Sequence, residues 1–228
     1  NPLYTVGNQI GEVLELHEGM RPNATRARAI ELLQHTGIPE PGRRVDAYPH
    51  ELSGGQRQRA MIAMALACGP DLMIADEPTT ALDVTVQAQI LQLLKGLQQR
   101  GHMAIQYITH DLGVVAAIAD RVYVMYAGTI IEQGTTDHIF KKAHHPYTMA
   151  LLDALPTREK RGHRLYSIPG SVPHPAYKPA GCPFHPRCPY RRPSCEQAFP
   201  RMCDYGEGHL ARCPVLYEAE GPSRKVQA

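Results

Sequence analysis

The sequence has no long apolar run and no excess of charge of one sign. Its longest uninterrupted apolar stretch, residues 60–68, is nine residues long, well short of the roughly 18 that a helix needs to cross a bilayer. With 24 Lys and Arg against 22 Asp and Glu, the formal net charge is only +2, which provides no polybasic surface. We therefore expect neither a membrane-spanning segment nor nonspecific binding to nucleic acid.

The start of the chain lacks two further features. Asn1 stands where an initiator methionine is usual, and no charged-then-apolar leader follows it. We expect this start to be a cut point within a longer intracellular protein. The 228 residues, 43% of them hydrophobic, are still enough to bury a sizeable core.

Helical and strand patterns alternate up to residue 142, which is typical of an α/β fold. Pro22 and Asn23 are expected to interrupt the first helical segment, and the first strand is expected to be buried in a parallel sheet. The patterns predict helices at 6–17, 24–37, 56–67, 84–100, 112–119 and 135–142, and strands at 71–76, 103–109, 121–127 and 129–132.

The composition shifts near residue 156. Twelve of the 20 prolines and five of the six cysteines lie between residues 156 and 228, without an apolar pattern long enough to make a core. We expect the compact part to end near Pro156 and the tail to be irregular. Such a tail needs another source of rigidity.

A small polar and glycine-containing cluster directly precedes the helix at 56–67. It consists of Ser53, Gly54, Gly55 and Gln56. Backbone N–H donors at a helix N-terminus, with no side chains on the glycines, suit an anion such as a nucleotide phosphate. An ordinary loop capped by Ser53 explains the same residues.

Two adjacent carboxylates, Asp76 and Glu77, follow the first strand, at the sheet edge where ligands bind in parallel folds. One can hold Mg²⁺ while the other polarises a water for attack on a γ-phosphate. A pair of helix-capping acids is the structural alternative. Asp83 by itself is an N-cap for the next helix.

His110 follows the second strand and is expected at the same sheet edge as Glu77. An imidazole there can donate a hydrogen bond to the same phosphate. A lone histidine is otherwise structural or solvated.

In this order, the motifs resemble the ATPase subunit of an ATP-binding-cassette (ABC) transporter. Residues 52–56 resemble the family's signature, 72–77 its Walker B strand, 80–83 its D-loop and His110 its switch histidine. The resemblance implies a P-loop NTPase-like ABC domain with a helical subdomain, which binds ATP and Mg²⁺. It makes Glu77 and His110 catalytic and Asp76 the Mg²⁺ ligand, and it assigns ATP contacts to Ser53, Gly54, Gly55, Gln56, Asp76 and Asp83.

Two short segments, Tyr48-Pro-His-Glu and His145-Pro-Tyr-Thr, together with Thr5-Val-Gly, resemble the dipeptide and oligopeptide importer branch. That likeness implies a second ATPase subunit, two permease subunits and, indirectly, an extracytoplasmic peptide-binding protein, with no nucleic-acid partner. It implies a peripheral location on the cytoplasmic face of the membrane. The corresponding domains are a helical subdomain at 1–50, the ATPase core at 51–143 and a C-terminal extension at 144–228.

The phosphate-cradling motif G-x-x-x-x-G-K-[ST] is absent, and no Lys follows a Gly anywhere in the chain. The family carries this loop upstream of the segment that starts here at Asn1. We therefore expect the chain to be the C-terminal portion of a subunit, truncated at its N-terminus and inactive as an ATPase alone.

The cysteines of the tail favour a metal over disulfides in an intracellular chain. By resemblance to peptide-importer ATPases, Cys182, Cys188, Cys195 and Cys213 hold a [4Fe–4S] cluster. Zn²⁺ on the same thiolates is an alternative, with His185 or His209 as substitutes. Cys203 in place of Cys213 is another.

Three other classes of protein compete with the transporter interpretation. A DNA-repair or chromosome-structuring ATPase would need sustained heptads, which the sequence lacks. A soluble tandem-cassette translation factor is disfavoured by the His-Pro-Tyr segment and the cysteines. A zinc-dependent nucleic-acid module in the tail could use Arg187, Arg191 and Arg192.

Overall fold

A computed structural model describes residues 1–101, 103–156, 162 and 166–219. The chain divides into two compact units, residues 1–112 and 113–228. The end of the tail, together with residues 157–161 and 163–165, lies outside the described residues, so the extension at 144–228 is described in part. No described helix is both long and apolar enough to cross a membrane.

The first unit opens with two helices that contribute to its first hydrophobic core. Helices α1 (Val6–Glu18) and α2 (Pro22–His35) pack on each other and on α4 (Gly54–Ala65). The short helix α3 (Pro41–Arg44) lies between α2 and α4 in the sequence. The fully buried side chains of this core are Ile10, Leu14, Ala29, Leu33, Val45 and Ala63.

The expected interruption at Pro22 is wrong, because Pro22 is the first residue of α2. Proline is tolerated there since the first N–H groups of a helix have no partner within it. A break does occur just before it, where Gly19 takes a left-handed φ of 64° and ends α1.

A two-stranded parallel sheet carries the acidic pair of the first unit. Strand β1 (Leu72–Asp76) pairs with β2 (Ala104–Ile108), so that Asp76 lies opposite Ile108. The long helix α5 (Val84–Gly101) connects the strands and buries Ile90 and Leu94 against them. This is the parallel arrangement that the alternating pattern predicts.

The expectation that β1 is wholly buried is wrong. Its residues alternate between exposed and buried, and Leu72 and Ile74 are 53% and 62% exposed. Only the face of β1 that includes Met73 and Ala75 meets the core. A continuous apolar run therefore does not distinguish a strand covered on both faces from one covered on a single face.

The second unit is built on an antiparallel sheet. After α6 (Leu112–Ile118), strand β3 (Arg121–Tyr126) forms a hairpin with β4 (Thr129–Thr135), with a register shift at Val124/Met125. Helices α7 (Thr136–Lys141) and α8 (Pro146–Asp153) follow. Ile131, Ile139 and Phe184 are buried at the centre of this unit.

The tail continues this unit, contrary to the expected end of the compact part near Pro156. Strand β6 (Leu210–Ala211) pairs with β4, and β5 (Cys203–Asp204) pairs with β6, which gives the order β3-β4-β6-β5. Helices α9 (Ser194–Gln197) and α10 (Pro214–Ala219) and a 3₁₀ turn at His185–Arg187 are short. The tail is mostly irregular, as its composition predicts, but it shares a sheet with the preceding hairpin.

Candidate functional site

Glu77 and His110 lie together at the carboxyl ends of the two parallel strands. His110 Nδ1 is 2.8 Å from Glu77 Oε1. The backbone N–H of Glu77 donates to the carbonyl of Ile108 at 2.8 Å, which extends the β1–β2 ladder by one step. The two side chains are 43% and 78% exposed respectively, so water can reach the pair.

The Glu77 carboxylate has a second partner in Thr80. The Thr80 hydroxyl donates to Oε2 at 2.7 Å, so each carboxylate oxygen has its own hydrogen bond. The bond from Thr80, followed by that from His110, holds the pKa of Glu77 below its usual value. Glu77 is therefore ionised at neutral pH, as a base must be.

The two other acidic residues near this sheet edge, Asp76 and Asp83, have different environments. Asp83 accepts a hydrogen bond from the N–H of Val86 at 3.0 Å, which is the helix-capping contact that its position predicts. Asp76 is exposed at the end of β1, next to Glu77 in sequence. An exposed carboxylate at this edge can serve as a ligand for Mg²⁺.

Ser53 forms a capping box at the start of α4. Its hydroxyl accepts from the N–H of Gln56 at 3.3 Å, and the Gln56 side-chain oxygen accepts from the N–H of Ser53 at 3.2 Å. The ordinary loop capped by Ser53, which the sequence allows as an alternative, is therefore present in the structure. It does not exclude anion binding, because only some of the free N–H groups of the first turn are used.

The glycines of this turn also make room for neighbouring side chains. A Cβ on Gly55 would lie 2.7 Å from Val86 Cγ1, and one on Gly54 would lie 3.4 Å from Leu82 Cδ2. The turn at 53–56 thus packs against the segment that leads into α5. The sequence predicts small residues here for access to a phosphate, whereas the structure gives them a packing reason as well.

Five cysteines of the tail line one cavity of about 470 Å³ in the second unit. They are Cys182, Cys188, Cys195, Cys203 and Cys213, and all are free thiols. Burial, to which the charges of other cysteines in this set add, raises the pKa of Cys188 to about 11 and of Cys213 to about 12. Burial likewise raises the pKa of Cys203, but there the additional charge is that of Glu218.

Backbone N–H groups point at several of these sulfurs. Those of Phe184 and His185 favour the thiolate of Cys182, that of Tyr190 favours Cys188, and that of Leu216 favours Cys213, each against the larger effect of burial. Hydrogen bonds of this kind accompany sulfurs that ligate iron. Within the described ranges, no group of three or more His, Cys, Asp or Glu residues is arranged to hold a metal ion.

The two histidines that could replace a thiolate have different environments. His185 lines the cysteine cavity, and its buried Nδ1 has no hydrogen-bond partner among the described residues. His209 instead places Nε2 2.8 Å from Glu132 Oε1. The geometry therefore disfavours His209 as a ligand beside the cysteines.

Glu132 is a buried polar centre that sequence reasoning missed. Its side chain is fully buried on β4 and accepts from the N–H groups of His144 and His145, at 2.7 and 3.0 Å, as well as contacting His209. Burial opposes its ionisation, but these hydrogen bonds outweigh burial and lower the pKa of Glu132. The one sequence feature that could have revealed it is an acid that directly follows two isoleucines in the expected strand at 129–132.

The His145-Pro-Tyr-Thr segment begins α8. His145 Nδ1 accepts from the N–H of Tyr147 at 3.1 Å, and Pro146 occupies the first helical turn. Burial lowers the pKa of His145 to about 4, so its ring is neutral at physiological pH and can accept this bond.

Family comparisons agree with these features. A family described as "ABC transporter" matches residues 2–80, and one described as "Oligopeptide/dipeptide transporter, C-terminal region" matches residues 131–195. Two solved structures resemble the fold. The dimeric post-hydrolysis ATP-binding cassette MJ0796, bound to ADP and Pi, has a TM-score of 0.52 at 33% identity, covering 60% of this chain and 58% of that one. The cbiO1 protein of Clostridium perfringens, part of the ABC transporter complex cbiONQ, has a TM-score of 0.53 at 31% identity, covering 61% of this chain and 54% of that one.

The fold and the paired motifs are those of ABC-transporter ATPases, and the chain belongs to that family. Within it, the chain is similar to the dipeptide transport ATP-binding protein DppD of Escherichia coli, with 52% identity over 213 residues. The match covers 93% of this chain and 65% of DppD, so the chain spans about two thirds of that relative's length.

Proposed function

We propose that the intact protein is the ATP-binding and ATP-hydrolysing subunit of an importer of dipeptides or oligopeptides. The observation that carries this proposal is the contact between Glu77 and His110 at the carboxyl ends of β1 and β2. The similarity to DppD supports the substrate class. The permease and the binding protein, rather than this subunit, would contact the peptide.

Glu77 serves as the general base for the water that attacks the γ-phosphate. Its two hydrogen bonds keep it ionised and oriented, and its partial exposure admits the water. A protonated His110 ring would donate from Nδ1 to Glu77 and from Nε2 to a phosphate oxygen. Asp76 holds the Mg²⁺ that accompanies ATP.

The γ-phosphate bound on a second subunit is contacted by the turn at the start of α4, which consists of Ser53, Gly54, Gly55 and Gln56. Asp83 lies in the segment that follows Glu77. The dimeric cassette bound to ADP and Pi supports this arrangement. ATP then favours the closed pair because it binds that state better than the open one. Hydrolysis removes the γ-phosphate contacts that favoured closure.

The chain by itself is expected to show no steady-state ATP hydrolysis. Its 228 residues contain no G-x-x-x-x-G-K-[ST] motif, so no loop of backbone N–H groups and lysine surrounds the β- and γ-phosphates. The exposed apolar face of β1, at Leu72 and Ile74, is where another layer of an intact core would pack. Residues 1–50 form the helical subdomain, 51–143 the partial core and 144–228 the extension.

The subunit pairs with a second ATPase beneath two permease subunits, at the cytoplasmic face of the membrane. A peptide-binding protein outside the membrane delivers the peptide. The near-neutral charge gives no reason to add a nucleic-acid partner.

The cysteine cavity is proposed to hold a [4Fe–4S] cluster on Cys182, Cys188, Cys195 and Cys213. The support is the shared cavity and the N–H groups directed at three of the sulfurs. When bound, such a cluster can cross-link the tail and exchange an electron. Cys203 differs because no other cysteine contributes to its electrostatic environment, which favours Cys213 as the fourth ligand.

Substituting Glu77 tests the ATPase proposal. In an intact subunit that contains the P-loop, Glu77→Gln should retain ATP binding, lose turnover and accumulate the ATP-bound dimer on size-exclusion chromatography. Glu12→Gln, on the exposed side of α1, is the matched control and should leave turnover unchanged. Normal turnover of the Glu77 variant would remove Glu77 as the base.

Anaerobic purification tests the cluster proposal. Iron and sulfide should be present in a four-to-four ratio with the broad visible absorption of an iron–sulfur protein. Cys213→Ser should abolish this absorption, whereas Cys203→Ser should retain it. Stoichiometric zinc without iron would overturn the cluster.

A further inference from the structure

A second cavity of the second unit shares no lining residue with the cysteine cavity. Its volume is about 250 Å³, and its walls come from α7, the loop before α8 and the turn between β5 and β6. The residues that line it are His138, Lys142, His144, Tyr205, Gly206, Glu207 and His209. Pockets for drug-sized molecules are larger, at roughly 300–1,000 Å³, so this cavity suits a smaller molecule. None of its residues belongs to the proposed ATPase site.

Aromatic rings form one wall of this cavity. The rings of His144 and Tyr205 stack with their centroids 3.7 Å apart, and those of His138 and His209 stack at 5.0 Å. His144 and His209 are 4.8 Å apart, which joins the two stacks. The buried carboxylate of Glu132 contacts His209 and accepts from the backbone of His144. The wall is therefore held in place, and its rings offer van der Waals contact to an apolar or aromatic group.

The turn between β5 and β6 holds Glu207 beside the cavity in a strained backbone conformation. Gly206, Glu207 and Gly208 have consecutive positive φ values of 92°, 54° and 73°. The N–H of His209 donates to the carbonyl of Gly206, and that of Tyr205 donates to the carbonyl of His209, both at 2.9 Å. A non-glycine residue in this conformation persists only where surrounding contacts fix it, and such residues cluster at functional sites.

Glu207 and Lys142 bring opposite charges to the cavity. Glu207 Oε2 lies 3.2 Å from His138 Nε2, whereas Oε1 has no hydrogen-bond partner in the described part of the chain. Within the same ranges Lys142 makes no ion pair, unlike the neighbouring Lys141, whose Nζ lies 2.8 Å from Asp137. A carboxylate oxygen and an ammonium group are therefore both available to a ligand.

We propose that this cavity binds a small zwitterion, a free amino acid or a dipeptide. The ammonium group of the ligand lies on Glu207, its carboxylate on Lys142 and its side chain against the aromatic wall. Glu207 repels an inorganic anion, and Lys142 repels a polyamine, so the two charges favour a ligand that carries one charge of each sign. The site does not depend on the proposed ATPase function.

The chain contains no tryptophan, so indole fluorescence reports only on an added probe. Free tryptophan is the zwitterionic probe, tryptamine lacks its carboxylate, and indole-3-propionate lacks its ammonium group. The chain is titrated into each probe at neutral pH, and the fluorescence anisotropy is measured. Tryptophan should bind about fivefold more tightly than either single-charge probe, as expected for one additional solvent-exposed ion pair. Equal affinities for the three probes, or no saturable binding of tryptophan, would overturn the proposal.

Two variants assign the charges. Glu207→Gln should abolish the preference for tryptophan over indole-3-propionate and keep the preference over tryptamine, whereas Lys142→Gln should do the reverse. Lys141→Gln removes the adjacent lysine and should keep both preferences. Each preference is a ratio between two probes on one protein, so partial unfolding cannot imitate its loss. If Lys141→Gln changes the preferences as much as Lys142→Gln does, the proposed site is wrong.

Glycyl-tryptophan distinguishes the two sources of the zwitterion, because its charges are further apart than those of tryptophan. Tighter binding of glycyl-tryptophan, with the same dependence on Glu207 and Lys142, identifies a dipeptide as the ligand. Tighter binding of tryptophan identifies a free amino acid. If neither probe responds to either variant, the site is wrong, and the test of Glu77 in the ATPase proposal is unaffected.

Discussion

Glu132 Oε1 and His209 Nε2 lie 2.8 Å apart, and both side chains are buried. Glu132 belongs to β4, and His209 directly precedes β6, 77 residues later. The same carboxylate accepts from the backbone of the His144-His145 pair. One buried charge therefore connects the hairpin, the start of α8 and the cysteine-containing tail.

Glu132→Gln should lower the free energy of unfolding of the second unit by about 3 kcal/mol. The amide has a single acceptor oxygen, and its NH₂ group would face N–H donors. Urea denaturation, monitored by circular dichroism, measures the change. Glu207→Gln removes the exposed carboxylate that contacts His138 and should cost less than about 1 kcal/mol. Equal losses in the two variants would contradict a special role for Glu132.

Glu132 also predicts an acid sensitivity. Because its pKa is lower in the folded protein than in the unfolded chain, its ionisation stabilises the fold above the ordinary glutamate pKa. This contribution is lost as the pH falls through the folded-state pKa. The difference in the free energy of unfolding between wild type and Glu132→Gln should therefore be smaller below about pH 4.5 than at pH 7. A gap that widens in acid would contradict this assignment.

His145 should make the second unit less stable at mildly acidic pH. Its pKa is about 4 in the fold against 6.5 ordinarily, because it is buried. Between these values the unfolded chain takes up a proton that the folded chain does not, so stability falls as the pH drops. The loss from pH 7 to pH 4 should reach about 3 kcal/mol.

His145→Asn should flatten this pH dependence, because Asn retains an acceptor for the N–H of Tyr147 but does not titrate. His174 is a matched control, since its exposed ring accepts from the N–H of Ala176 in the same way. His174→Asn should leave the pH dependence as it is in the wild type. Urea titrations at several pH values measure both variants, and identical curves for them would contradict the prediction.

Gly181→Ala should destabilise the cysteine-containing tail by more than about 2 kcal/mol. Gly181 has a φ of 70°, and a Cβ there would overlap with the carbonyl oxygen of Cys195. That oxygen already accepts from the N–H of Cys182 at 2.8 Å, so it has little freedom to move. Loss of the visible absorption of any bound cluster should accompany the change.

Gly206→Ala separates the cost of a positive φ from the cost of the close approach to Cys195. Gly206 also has a positive φ, 92°, but no atom lies within 4 Å of its Cβ position. It should cost only the backbone penalty of about 1 kcal/mol. If both variants lose the same free energy of unfolding, the close approach to Cys195 contributes nothing.

Ser53→Ala should lower the stability of the first unit by about 1 kcal/mol, because the hydroxyl that accepts from the N–H of Gln56 is lost. Ser53→Thr retains the hydroxyl and should recover most of the loss. Thermal unfolding of the two variants gives the comparison. A Ser53→Ala variant as stable as the wild type would show that the box is not formed in solution.

The sequence correctly predicts that Glu77 and His110 lie at the same sheet edge, because parallel strands in one sheet bring their carboxyl ends to one edge. The helices and strands between Val84 and Tyr126 also follow from local periodicity. The pairing of β4 with β6 could not be predicted, since a two-residue strand has no periodicity and the paired residues are 77 and 79 positions apart. For the same reason, the burial of Glu132 depends on a tail that no local pattern places beside it.

The roles of individual residues were less predictable than their positions. The polar cap at Ser53 is visible in the sequence, but the approach of Val86 to Gly55 depends on packing between α4 and the start of α5. Similarly, Thr80 belongs to a recognised motif, yet its hydroxyl contact with Glu77 requires the turn after β1, in which Glu77 has a positive φ of 44°. Such turns are fixed by tertiary contacts rather than by propensity.

The insertion of β6 beside β4 has a consequence during synthesis. Until the ribosome has released residues 203–211, one side of β4 presents unpaired N–H and C=O groups that can join a foreign strand. A nascent or prematurely stopped chain would thus be prone to aggregate through the hairpin, and completing the tail removes this hazard.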